Sequence, residues 1–169
     1  MASRVQAADV PHFFTLDGHL YSDTVGTVPL VDSSIVFRIQ ILDEAKVCII
    51  YEETQTTSTL LTKGHFNISV GSEVGAGKRT AGDSANSLPT VFQNINNITG
   101  KLVSNGAACT VTAAGGKRRY IRTFITPSTM LAGGERTLSP DLSLDSVPNA
   151  VIAERAETLQ GSRAADFLK

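Results

Sequence analysis

The sequence predicts a mainly β protein: an antiparallel β-sandwich with one short inserted helix and a C-terminal helix outside the sandwich. Three observations lead there. Apolar and polar residues alternate with a period of two in several short segments. Turn chemistry recurs between those segments, at Lys63-Gly64, Gly115-Gly116 and Gly133-Gly134. The composition, with 14 Gly, many Thr and Ser and no Trp in 169 residues, suits strands and turns better than a helical bundle.

The clearest strand is 34–42, where Ile35, Phe37, Ile39 and Ile41 make one apolar face against a mixed face of Val36, Arg38, Gln40 and Leu42. Residues 43–46 read as a turn and 47–52 as the returning strand of a hairpin. The Thr-rich run 54–62 reads as an edge strand or strand-like loop. Residues 65–71 alternate Phe66, Ile68 and Val70 against Asn67 and Ser69, as in a half-buried strand. The Gly-rich, polar stretch 72–86 reads as a loop. Ser87 is placed to cap a short helix over 88–95, with Pro89 in its first turn and Val91, Phe92 and Ile95 on one stripe.

Residues 99–116 carry few signals beyond Cys109. Residues 119–126 form another strand, stopped by Pro127, and 136–144 a last extended segment broken by Pro140. Ser146 and Pro148 open a C-terminal helix in which Ile152, Ala156 and Leu159 recur at helical spacing, with Gly161 as terminator. The expected organisation is a flexible segment over 1–12, a sandwich domain over 13–146 and a helix over 147–169.

A chain of this length supports a sizeable core without metal. A net charge of −1 gives no general attraction to nucleic acid or anionic membrane. No apolar run approaches the roughly 18 residues that span a bilayer, so membrane insertion is not expected. The N-terminal residues lack the apolar core of a signal peptide, so the chain is either cytoplasmic or has lost its signal. Cys48 and Cys109 are either a disulfide closing a loop of about 60 residues, worth roughly 4 kcal/mol, or two buried thiols.

Candidate chemistry is sparse. Gly75-Ala76-Gly77-Lys78-Arg79-Thr80 resembles a phosphate-binding loop, but Ser72 stands at the first glycine position and Arg79 at the hydroxyl position. A solvated loop is the expected reading. His12, His19 and His65 do not form a recognised metal spacing; a site assembled in space by His12 and His19 with Asp17 or Asp23 is the alternative, against the expected reading as surface residues. Cys48 lies in an apolar strand, where a thiol is inert. Asp43 with Glu44, and Glu52 with Glu53, are adjacent on the chain and point to opposite faces in a strand, so they read as turn and edge charges. Lys117, Arg118, Arg119 and Arg122 with Tyr120 read as a solvated strand edge, not a nucleic-acid site. No catalytic, cofactor or metal site is expected, and the chain does not read as an enzyme.

Several phrases together resemble a known module. They are Leu16-Asp17-Gly18, as a strand ending in a short turn, then 37–43, 48–53, 64–72 and 88–94. The most specific is the close: Leu138-Ser139-Pro140-Asp141, Ser146-Val147-Pro148-Asn149-Ala150, Ala153-Glu154 and Leu159-Gln160-Gly161. Across most of 13–168 the chain resembles the N-terminal modules of secreted bacterial trimeric tail-fibre-like adhesins, including those of predatory bacteria. Asn149 stands where that family often has an aromatic residue.

The resemblance implies an exported β-sandwich whose signal peptide has been removed, a Cys48–Cys109 bridge and a homotrimer. It implies a non-catalytic structural and adhesion role at the N-terminal end of an extracellular fibre, whose distal tip meets a cell-surface glycan or protein. Val147, Val151, Ile152, Ala156, Leu159, Phe167 and Leu168 would then form the trimer or stalk seam. The other reading of that helix is a lid folded back on its own domain. The other reading of the module is a stand-alone carbohydrate- or protein-binding domain using loops such as 72–86 or 113–117.

Overall fold

A computed structural model describes residues 13–72, 75, 77–93, 96–112, 118–129, 134–144, 158–159 and 162–163. It is mainly β and antiparallel. Strands β1 (Phe14–His19), β2 (Ile35–Leu42), β3 (Cys48–Thr57) and β4 (His65–Val70) precede helix α1 (Leu88–Gln93). Strands β5 (Ile98–Leu102), β6 (Ala108–Val111), β7 (Arg119–Pro127), β8 (Arg136–Leu144), β9 (Thr158–Leu159) and β10 (Ser162–Arg163) follow. The main sheet has the order β6-β5-β3-β2-β7-β8, and β1 pairs with β4 in a second sheet.

Residues opposite one another on antiparallel strands share a face. Ile35, Phe37, Ile39 and Ile41 of β2 therefore lie beside Ile121, Thr123 and Ile125 of β7 and beside Tyr51, Glu53 and Gln55 of β3. That face is buried together with Leu16 of β1 and Phe66, Ile68 and Val70 of β4. The Phe37 and Phe66 rings meet at 4.8 Å between the two sheets. The alternation read in 65–71 is thus the alternation of burial, and that in 34–42 is so as far as Ile39, beyond which Gln40 and Leu42 on the opposite face are buried too. Helix α1 begins as the sequence expects: the Thr90 amide donates to Ser87 Oγ at 3.3 Å, and Val91 is fully buried.

Several expectations need correction. The 54–62 run is not a separate edge strand. Residues 54–57 continue β3, because β2 offers them ladder partners as far as Ile35, and the turn residues follow. Asp17 and Gly18 do not turn the chain; both pair within β1, opposite Asn67 and Phe66. A Cβ on Gly18 would lie 2.9 Å from the Phe66 ring, so the glycine serves close packing there. The stretch 99–116, almost silent in the sequence, supplies most of β5 and all of β6. Pro140 does not break β8. Its strand bulges instead, so that the register shifts between Ile121 and Thr123 of β7.

The C-terminal helix is not supported. Of 147–169, only Thr158–Leu159 and Ser162–Arg163 are described, and they form an antiparallel pair with Gln160 and Gly161 between them. A two-residue connection ending in Gly favours a hairpin over a continued helix. Leu159, expected on the helical stripe, is therefore extended. Val147, Val151, Ile152, Ala156, Phe167 and Leu168 lie outside the described residues, as do the 1–12 segment and Ile95.

Candidate functional site

The most heavily built polar region surrounds β3. Its partner β5 pairs only with Cys48 and Ile49, which leaves the edge from Ile50 to Thr54 without a strand. The loop after β4 fills it. Lys78 O accepts the Thr54 amide at 3.1 Å, and Asp83 Oδ1 accepts the Glu52 amide at 2.9 Å. Ser84 Oγ and Asn86 Nδ2 both donate to Ile50 O, at 2.8 and 2.9 Å. These bonds satisfy backbone groups that a buried strand cannot leave unpaired.

The same loop covers two buried carboxylates on opposite faces of β3. Glu53, fully buried on the core face, accepts from Tyr51 Oη at 2.5 Å, Gln55 Nε2 at 2.7 Å and the Gly71 amide at 3.1 Å. Gly75 packs over it, and a Cβ there would lie 2.6 Å from both carboxylate oxygens. Glu52, on the outer face, accepts from Arg38 Nη1 at 2.9 Å, Gln40 Nε2 at 2.5 Å and the Thr80 hydroxyl. Arg79 stacks over the Tyr51 ring at 3.9 Å and donates to Asp83 and Asn86. Burial pushes the Tyr51 phenol well above its ordinary value, and the bond to Glu53 adds to the shift.

This geometry corrects the reading of Glu52 and Glu53 as edge charges. The adjacent carboxylates do point to opposite faces, but both are inside. It also corrects the reading of 72–86 as merely solvated, since its described residues are bonded along β3. Among the described residues of the stretch, the Gly75 and Lys78 amides donate to Ser72 Oγ and Gly75 O, Arg79 and the Thr80 hydroxyl donate to Asp83 and Glu52, and Lys78 is exposed. These described donors are thus engaged within the chain rather than gathered around a phosphate position.

Two concave regions lie elsewhere. A groove of about 330 Å³ runs between β1 and the β7–β8 side of the main sheet. It is walled by Leu16, Phe66, Ile121, Ile125, Leu138 and Leu142, with Asp17, His19 and Tyr21 among its lining. It can accept an apolar group. A shallow hollow of about 580 Å³ on the outer face is lined by Lys46, Val103, Arg122, Phe124, Pro140 and Asp141 among others.

Here Arg122 forms a two-pronged ion pair with Asp141, at 3.0 and 2.9 Å, and Lys46 adds a third charge at 3.5 Å. The Arg122 hydrogen bond lowers the Asp141 carboxyl, against the effect of burial, and the charges of Arg122 and Lys46 lower it further. The aromatic faces are covered by cations: Arg38 sits 3.8 Å above Phe124, and Lys46 Nζ sits 4.1 Å above Tyr120.

The basic cluster does not form a single solvated edge. Arg119 is 2% exposed and donates to Val91 O at 3.2 Å. Burial pulls its guanidinium below the ordinary value, opposed by the charges of Asp43 and Glu44. Lys117 lies outside the described residues. His19 and His65 stand opposite one another across β1 and β4, but His19 Nε2 is bonded to Lys63 O at 2.6 Å and its ring stacks on Tyr21 at 4.9 Å. Asp23 is occupied by Thr27 and Val28. Among the described residues, no three His, Cys, Asp or Glu side chains converge as a metal site would require; His12 is not among them.

Cys48 and Cys109 are joined in a disulfide, Cα to Cα 6.1 Å. Such a bridge points to an oxidising, exported environment. Among the described residues, no helix is long and apolar enough to cross a membrane. Comparison of the chain with protein-family models, curated proteins and solved structures returns no match.

Proposed function

We propose that this chain is a non-catalytic structural and adhesion module, a two-layer β-sandwich at the N-terminal end of a trimeric extracellular fibre. In this reading it is exported, its signal peptide is removed, and recognition of a cell-surface glycan or protein falls to a distal tip beyond Lys169. The observation that carries the non-catalytic part is the treatment of buried charge. Asp32, Glu52, Glu53 and Arg119 are each held by internal hydrogen bonds, so none is poised as an acid, base or nucleophile. The fibre part rests on the closing sequence phrase from Leu138 to Gly161 and on the disulfide.

Native mass spectrometry of the chain with and without 147–169 tests it. A mass of three chains that falls to one on truncation is the expected outcome. A single chain in both cases would sink the fibre reading. A second reading, a stand-alone binding domain, draws support from the outer hollow beside Phe124. Against it, both aromatic faces are already stacked by this chain's own cations. A glycan-array signal lost in Arg122→Ala would favour it.

A further inference from the structure

Two loops stand side by side at one end of the molecule, between β1 and β2 and between β3 and β4. The Leu20 amide donates to Gly64 O at 2.9 Å, Thr59 Oγ1 to Leu30 O at 2.7 Å and the Thr59 amide to Asp32 O at 2.9 Å. Asp32 anchors the pair from below: it accepts from the Ser34 amide, from Ser128 Oγ at 2.5 Å and from the Thr129 amide and hydroxyl at 3.0 and 2.8 Å. Asp23 holds the tip of the first loop through the Thr27 and Val28 amides. The loops are thus ordered by internal bonds and need no partner to hold their shape.

They nevertheless display aliphatic side chains. Leu61 is 93% exposed and Val25 76%, with Val28, Leu60 and Val31 also exposed. Tyr21 and Lys63 rim these residues, and both are exposed. This end of the main sheet is where Ile35, Thr57 and Pro127 lie abreast. β8 leaves the fold at the other end, where Leu144 pairs with Arg119. The chain enters β1 at that other end too, for Phe14 packs on Phe92 of α1, next to Val91, whose carbonyl meets Arg119. The aliphatic loops therefore crown the end opposite the start of β1 and the end of β8.

We propose that these loops form a peripheral lipid-contact tip, seating Val25, Leu60 and Leu61 at the headgroup–acyl boundary of a bilayer without spanning it. The kinds of exposed large side chain favour lipid over a protein groove. Protein hot spots are rich in Trp, Tyr and Arg, whereas the large apolar side chains exposed here are aliphatic except for Tyr21, interspersed with the small polar Ser22, Thr24, Thr27 and Thr62 and with Lys63, while Asp23 is bonded within its own loop. That is the pattern of an interfacial contact, where apolar side chains enter the acyl region and Tyr and Lys stay at headgroup level. Separate projections, standing almost free of their own protein, also suit a fluid partner that closes around each.

Because the chain contains no Trp, Leu61→Trp supplies a single Trp at the tip, excited selectively beyond the absorption of its tyrosines. With vesicles of phosphatidylethanolamine and phosphatidylglycerol, the Leu61→Trp emission should shift to the blue and be quenched by acyl-brominated lipid. In flotation of the otherwise unaltered chain, Val25→Ser with Leu61→Ser should reduce the vesicle-bound fraction at least about tenfold. The fold of the double variant is checked by its circular dichroism and intact disulfide. Wild-type protein that stays unbound, a double variant that floats as well as wild type, or an unchanged Trp emission would each overturn the proposal. So would a native mass that falls to one chain in the double variant, which would place the tip between copies of the protein.

Discussion

Asp32 keeps a carboxylate at 1% exposure because four donors from three residues reach its two oxygens. Burial acts to raise its pKa, but the bonds from Ser128, the Ser34 amide and Thr129 outweigh it and hold the group well below the usual carboxylate range. An unfolded Asp titrates near about 3.9. The folded value lies below that, so the stability Asp32 contributes is complete above the unfolded value and is lost as pH falls through the folded one. Asp141, lowered by Arg122, acts in the same direction. Asp32→Asn should therefore lower stability by about 2–4 kcal/mol at pH 7, since it leaves buried donors facing an amide. Urea midpoints at pH 7, 5 and 3 check this: the gap between wild type and variant should narrow at pH 3. A gap of constant size across that range would mean that the ionised form is not what the fold holds.

At the level of elements, β3 shows what pattern alone can and cannot convey. Its apolar half and its hairpin with β2 are legible in the sequence, because Cys48 to Tyr51 is a continuous apolar run, buried throughout, that follows a turn after β2. Glu52 and Glu53 are not legible, because a carboxylate pair in a Thr-rich stretch looks like a solvated edge. Their burial depends on a segment 18 to 31 residues downstream, which brings Thr80 and Asp83 to Glu52 and Gly71 to Glu53. The signals that were available are the glycines at 75 and 82, whose missing side chains leave room for those carboxylates. β5 and β6 are not legible for a related reason: Gly100, Ala107 and Ala108 carry little alternation, and the strands are placed by pairing with β3 and by the disulfide. Gly75→Ala should cost about 1–3 kcal/mol, as overpacking does, and should speed hydrogen exchange of the Glu52 and Thr54 amides. Lys78→Ala, on the exposed side of the same loop, should change stability by less than about 0.5 kcal/mol. Equal effects of the two substitutions would mean that the loop does not clasp β3.

Across the whole molecule, the main sheet is held unevenly. β2, β3 and β7 share long ladders, whereas β5 meets β3 at two residue pairs and β6 is a four-residue outer strand. The Cys48–Cys109 bridge connects β3 to β6 across β5, with a sequence separation of 61. Gly100 of β5 lies between: a Cβ there would come 2.5 Å from Cys48 Sγ and 2.6 Å from Ile49 O. Loop-closure entropy puts such a bridge at about 4 kcal/mol, a large share of the roughly 5–15 kcal/mol by which domains are stable. For a chain of this size that corresponds to roughly 10 °C in Tm. Cys48→Ser with Cys109→Ser should therefore lower Tm by about that amount, and its exchange protection should fall first at β5 and β6 while β2 and β7 keep theirs. Gly100→Ala should raise the fraction of free thiol found on denaturation in otherwise unaltered protein, because the added methyl competes with the sulfurs for the same space. If the double Ser variant melts with wild type, the bridge does not hold this edge, and the weak ladder between β5 and β3 is sufficient by itself.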